Sequence, residues 1–150
     1  MARVVWSAPA MCMVPTSRTV REDKYVTTAG RVKFDDGQAG RIAFVAAITT
    51  PLPEDSYQLV AHIVRAGPDL AGETIVLRRA RRTDGAVDTV LECTDVQSQG
   101  VQNNVRSATS TFERFAIDLD THYYWVQVND VTETPQEVRS TLGVSLARRA

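Results

Sequence analysis

The chain has 150 residues, long enough for one domain to bury a core of its own without staples. Its 17 basic residues stand against 18 acidic ones, a net charge of −1. That balance excludes a broadly basic nucleic-acid binder, because phosphate neutralisation needs an excess of Lys and Arg on one face. No run approaches the roughly 18 apolar residues of a membrane-spanning helix.

In chain order, Arg3 precedes a mostly apolar stretch, residues 4–14. Ser7 and Pro9 interrupt it and no cleavage site follows, so it reads as an edge strand and a turn rather than a secretory leader. The expectation is a chain that is cytoplasmic as synthesised, or associated with a larger particle. From residue 41 onward the dominant period is two. Ile42, Phe44, Ala46 and Ile48 form an apolar stripe within residues 41–49, and Tyr57, Leu59, Ala61 and Ile63 form another. Ile75 and Leu77 repeat the pattern in residues 73–82, and Val87, Thr89 and Leu91 share one face of the next strand. Residues 112–117 read as a further strand. Residues 123–128, Tyr-Tyr-Trp-Val-Gln-Val, carry the strongest β signal because nearly all are aromatic or β-branched. Leu142, Val144 and Leu146 close the series.

The punctuation agrees with strands. Asp35, Asp36 and Gly37, and again Asp84 and Gly85, supply the positive φ that tight hairpins demand. Residues 51–53 (Pro-Leu-Pro) and 67–69 (Gly-Pro-Asp) read as stiff surface connections. Residues 97–109 and 132–137 are polar and read as loops. No stretch offers an amphipathic helix. The expected architecture is a single all-β domain over residues 1–150, an antiparallel two-sheet sandwich of about eight to ten strands with jelly-roll or Greek-key wiring.

Chemistry-bearing residues are scarce. Cys12 and Cys93 could pair across a sandwich, but both sit among apolar residues and read as buried thiols acting as small hydrophobes. His62 and His122 are the only histidines. A zinc site needs three or four ligands, so two histidines and a carboxylate would serve only if their strands were neighbours. Asp118 and Asp120 could bind Ca²⁺ from a loop, although Asx turns before the next strand are the simpler use. There is no Gly-x-Ser-x-Gly elbow and no Gly-rich phosphate loop. The sequence therefore implies no cofactor, no metal and no catalytic residue.

Two clusters suit binding. Arg78, Arg79, Arg81 and Arg82 lie at a strand end before the Asp84–Gly85 turn, two to each face. They could hold a carboxylate, a phosphate or a partner protein, or simply blunt a strand edge. Alternation sends Tyr123 and Trp125 to one face and Tyr124 to the other, so either pair member could be core, subunit interface or sugar platform. The candidate binding residues are thus Tyr123, Trp125, Arg79, Arg81 and Arg82.

Residues 115–128 (Phe-Ala-Ile-Asp-Leu-Asp-Thr-His-Tyr-Tyr-Trp-Val-Gln-Val), a polar loop, and then residues 142–146 (Leu-Gly-Val-Ser-Leu) resemble the closing strands of small jelly-roll modules. Such modules occur in phage and phage-like tail or capsid-decoration proteins and in trimeric tumour-necrosis-factor-like domains. The resemblance implies a non-enzymatic structural protein that assembles with itself or with a partner protein of a larger particle, touching neither nucleic acid nor membrane. The alternative is a carbohydrate-binding sandwich whose partner is a glycan.

Overall fold

The computed structural model describes residues 2–9, 12–15, 25–28, 31–34, 40–66, 74–94, 105–134 and 137–149. They form β1 (Ala2–Pro9), β2 (Val14–Pro15), β3 (Tyr25–Thr28), β4 (Arg31–Phe34), β5 (Gly40–Ile48) and β6 (Leu52–Ala66). These are followed by β7 (Thr74–Arg81), β8 (Val87–Thr94), β9 (Val105–Thr109), β10 (Glu113–Ile117), β11 (His122–Thr134) and β12 (Glu137–Arg149). All the strands are antiparallel to their partners. Of the twelve strands among the described residues, β2, β3 and β4 have four residues or fewer, and the nine longer ones fall within the expected eight to ten.

The pairing is nested. β7 pairs with β8, β6 with β9 and β10, β5 with β11, and β1 with β12. A chain folded back on itself in this way and then rolled up is a jelly roll. One layer runs β1–β12–β6 and ends on β9 and β10; the other runs β2–β5–β11–β7–β8. Among the described residues the two are joined in hydrogen bonding where β11 and β12 pair with each other, Thr132 to Arg139 and Thr134 to Glu137. The polar segment expected as a loop over residues 132–137 is therefore mostly strand. Its polar residues extend the ladder, and residues 135–136 lie outside the described set. The loop expected over residues 97–109 likewise yields β9 at its end, while residues 97–104 lie outside the described set, as do the turn signals at 35–37 and 67–69. The Pro-Leu-Pro connection gives way at Leu52, where β6 begins.

Alternation fills the space between the layers. Leu59 and Ala61 of β6, Val144 and Leu146 of β12, and Ala8 of β1 point inward from one side. Phe44, Ala46 and Ile48 of β5, Tyr124, Val126 and Val128 of β11, and Ile75 and Leu77 of β7 point inward from the other. Full burial of each Leu, Ile or Phe contributes roughly 1.5–3 kcal/mol, so apolar contact between the layers holds the sheets face to face. The open ends are closed locally. Ser110 is buried; its Oγ accepts the Leu59 N–H at 2.9 Å and donates to the Thr111 carbonyl at 2.8 Å. The β7–β8 hairpin turns as its sequence predicts: Gly85 takes φ +73°, its N–H donates to the Arg81 carbonyl, and Asp84 Oδ1 accepts the Ala86 N–H at 3.0 Å.

Gly143 matters for a different reason. A Cβ added there would lie 2.8 Å from the Ala8 carbonyl oxygen and 3.2 Å from the Pro9 Cα, both backbone atoms of the neighbouring β1. We expect Gly143→Ala to cost about 1–3 kcal/mol by forcing β1 away from β12, read as a fall in melting temperature. Ser110→Ala strands a buried Leu59 N–H and should cost a similar 1–3 kcal/mol. An unchanged melting temperature in both variants would contradict these strand assignments.

Candidate functional site

β11 sits between β5 and β7, with Trp125 opposite Ala47 on one side and Arg78 on the other. Its even residues enter the core, so Tyr123, Trp125 and Gln127 emerge on the outer face of the β5–β11–β7–β8 layer. Register places Val45 and Ala47 of β5 beside them, then Val76, Arg78 and Ala80 of β7, then Glu92, Thr89 and Val87 of β8. A bulge between Leu77 and Arg78 makes Val90 an extra residue in β8. It corrects one expectation: Val87 and Thr89 do not share a face with Leu91. The bulge shifts the phase, so Leu91 is buried while Val87 and Thr89 point outward.

This outer face is apolar and aromatic at its centre, and Val76 on it is only 3% exposed. Tyr123 is 57% exposed and Val87 53%. The Arg82 guanidinium carbon lies 4.5 Å from the Tyr123 ring centroid, a cation–π contact, and the Arg82 N–H donates to the Thr121 carbonyl at 2.9 Å. Trp125 is half-buried and its indole N–H reaches the Gln127 Oε1 at 3.4 Å. Of the three aromatics, only Tyr124 is core; its hydroxyl donates to the Ala116 carbonyl at 3.3 Å.

The four arginines separate by phase, two to each side as alternation requires. Arg79 and Arg81 are committed to hairpin neighbours. Arg79 grips Asp88 with two nitrogens, at 3.0 Å each from Nε to Oδ1 and from Nη2 to Oδ2, and Arg81 Nη1 lies 3.2 Å from Asp84 Oδ2. The guanidinium beside it holds the Asp88 carboxyl below the usual carboxylate range, and the same pairing raises Arg79. Arg82 covers Tyr123. Arg78 differs: its Nε is buried and meets no acceptor among the described residues. Such an orphan donor costs roughly 1–3 kcal/mol if nothing else satisfies it. Composition and spacing gave no way to single Arg78 out from its three neighbours. The distinguishing fact is what lies across from it, Trp125 and Thr89 rather than a carboxylate.

The other candidates disperse. His62 lies on β6 and His122 on β11, strands of opposite layers that do not pair, so the two-histidine site has no geometry. Among the described residues no three His, Cys, Asp or Glu side chains converge. Asp118 builds its own turn: Oδ1 accepts the Asp120 N–H at 3.0 Å and its carbonyl accepts the Thr121 and His122 N–H groups. The cysteines do not pair. Cys93 is buried on the inner face of β8, but Cys12 is exposed before β2, against the expectation that both are buried. Its neighbour Met13 takes the inward position instead. An open cleft of about 430 Å³ lies along the β8 and β10 edges, lined by Arg79, Glu92, Glu113, Arg114 and Phe115 among others. No helix among the described residues is long and apolar enough to cross a membrane.

No family model and no curated protein matches the sequence. Solved structures share the outline at low identity. TmCBM61 in complex with β-1,4-galactotriose is 11% identical, with 96% of this chain and 88% of that one covered and a TM-score of 0.41. The Stig cyclase Fisc from Fischerella sp. TAU, in complex with (3Z)-3-(1-methyl-2-pyrrolidinylidene)-3H-indole, is 13% identical over 100% and 90%, with a TM-score of 0.47. Eiger TNF from S. frugiperda is 13% identical over 97% and 85%, with a TM-score of 0.36. At these scores the likeness adds nothing to what the strand pairing itself establishes.

The two thiols give a direct check on the inner and outer assignments. Burial, helped by the Glu92 carboxylate, pushes the Cys93 thiol from 9.0 up to about 12. An unfolded thiol ionises near pH 9 while the folded one keeps its proton, so stability should fall as pH rises from 9 to 12 and be unaffected by this group below 9. Cys93→Ala should flatten that alkaline slope in denaturant titrations at stepped pH. At pH 8 a thiol reagent should label Cys12 at once and Cys93 only after unfolding; equal rates would contradict the burial of Cys93.

Proposed function

We propose that this chain is a non-catalytic interaction module that associates through the outer face of the β5–β11–β7–β8 layer, first of all with further copies of itself. The observation that carries the reading is the placement of Tyr123 and Trp125 together on that face, with Arg82 across the Tyr123 ring. Aromatic residues and Arg are the types enriched where one protein buries surface against another. The face spans a four-strand sheet, which suits a second protein surface better than a small molecule. A net charge of −1 leaves little repulsion between copies. The resemblance of residues 115–146 to tail, decoration and tumour-necrosis-factor-like modules supports a building-block role, in which the two sheets are the rigid part and the face is the contact. No catalytic step is assigned to any residue.

A second reading is glycan binding on the same aromatics. Its support is that Tyr123 and Trp125 share one side of the sheet. Arg82 already occupies one side of the Tyr123 ring, which leaves less open aromatic surface than a bare platform offers.

Sedimentation velocity over a concentration series distinguishes the two. The self-association reading expects a weight-average sedimentation coefficient that rises with concentration, and a rise abolished or displaced at least tenfold in concentration by Trp125→Ala and Tyr123→Ala with the fold intact. A strictly monomeric wild type that binds a glycan array, with binding lost in Trp125→Ala, would replace it with the second reading.

A further inference from the structure

Resting on the self-association reading, we infer that Arg78 pairs with Glu92 of a second copy of this chain, so that the interface is a two-fold dimer closed by two such ion pairs. On β7 the outward positions run Val76, Arg78, Ala80; on β11 they run Gln127, Trp125, Tyr123; on β8 they run Glu92, Thr89, Val87. The residues directly across from and along the strand from Arg78 on this face, Trp125, Thr89, Val76 and Ala80, are apolar, aromatic or neutral. The Arg78 Nε is buried without an acceptor, and Arg78 takes part in none of the ion pairs of the described residues. The other arginines of the cluster are provided for: Arg79 by Asp88, Arg81 by Asp84, and Arg82 by the Tyr123 ring.

Among the described side chains of this face, one is a carboxylate. Glu92 is exposed, stands opposite Val76, and likewise enters none of those ion pairs. It lies one strand over from Arg78 and one outward position along, a diagonal neighbour with which Arg78 makes none of those ion pairs, and register puts Thr89 opposite Arg78. The face is therefore self-complementary. A two-fold axis lying between two such faces, and crossing midway between Arg78 and Glu92, sets each guanidinium over the other copy's carboxylate, and the symmetry makes the pair twice. Desolvating these charges beside Trp125 makes the pairing a condition for docking rather than a rim contact, because an unpaired buried charge disfavours the wrong register.

Size sets the expected strength. Four strands over about seven residues give a face of roughly 20 Å by 24 Å, on the order of 500 Å². Standard interfaces bury about 800 Å² per partner. The dimer is accordingly of the weak, concentration-dependent kind and has to be sought at high protein concentration and low salt.

The test is a charge swap in the full chain, read by sedimentation velocity at a concentration where the wild type is dimeric. Arg78→Glu and Glu92→Arg should each be monomeric alone, since each homodimer would face like charges twice. Mixed in equal amounts, they should restore the dimer, because both cross-pairs are then of opposite charge. Circular dichroism verifies the fold of each variant, and Arg78→Met, which keeps the stem and removes the charge, weakens association at least tenfold if Arg78→Glu fails to fold. Dimerisation of the single variants at the wild-type level, or single variants that dissociate and do not recover on mixing, would overturn the pairing while leaving self-association through Tyr123 and Trp125 standing. A monomeric wild type would remove both.

Discussion

A strand with neighbours on both sides has no free edge, and only its two faces remain to be assigned. β11 is in that position through residues 124–128, hydrogen-bonded to β5 and to β7 at once. Tyr124, Val126 and Val128 bury their side chains against the opposite layer. A strand offers a period of two and nothing else, so that choice commits Tyr123, Trp125 and Gln127 to the outer face. A one-residue slip would exchange the sets wholesale and put an exposed tyrosine and a tryptophan indole N–H into an apolar core. The neighbours inherit the phase. Ala47 and Val45 lie outward because Ala46 and Phe44 are core, and Arg78 lies outward because Leu77 is core. The character of the outer face is a by-product of how the inner one packs.

The nested wiring adds a second consequence. β12 returns beside β1 and β6, so the first and last strands of the chain are neighbours, and Gly143 allows β1 to come close. The hairpin shared by β11 and β12 carries the chain from one layer to the other. The β8 bulge works locally. It turns Leu91 and Cys93 inward while keeping Glu92 outward, and it breaks the regularity of a sheet edge that would otherwise invite further strands.

Much of this was legible from residue order. The stripes at Phe44–Ala46–Ile48, Tyr57–Leu59–Ala61 and Val144–Leu146 are read correctly because half-buried strands alternate, and the Asp84–Gly85 turn because Gly tolerates φ +73°. The split of Tyr123 and Trp125 from Tyr124 is equally a matter of period. What failed to show has physical causes. Alternation says which residues share a face but not which face is covered; only the packing of the second layer decides that. A bulge inserts one residue without a sequence signature, so the phase of Leu91 relative to Thr89 was misread. Polar strands such as Thr132–Thr134 look like loops because their stability comes from the ladder rather than from an apolar stripe. The four arginines are chemically alike in sequence, and they differ only in what the neighbouring strand places opposite each.

The central claim is that the face bearing Tyr123, Trp125 and Arg78 is the one that makes contacts. Backbone amide chemical shifts recorded over a protein concentration series test it residue by residue. The account predicts shifts that move with concentration at Ala47, Ala80, Thr89, Tyr123 and Trp125, and stay still at Ser7, Val60 and His62 of the opposite layer. Spectra independent of concentration, or shifts that move at Ser7, Val60 and His62 instead, would contradict it.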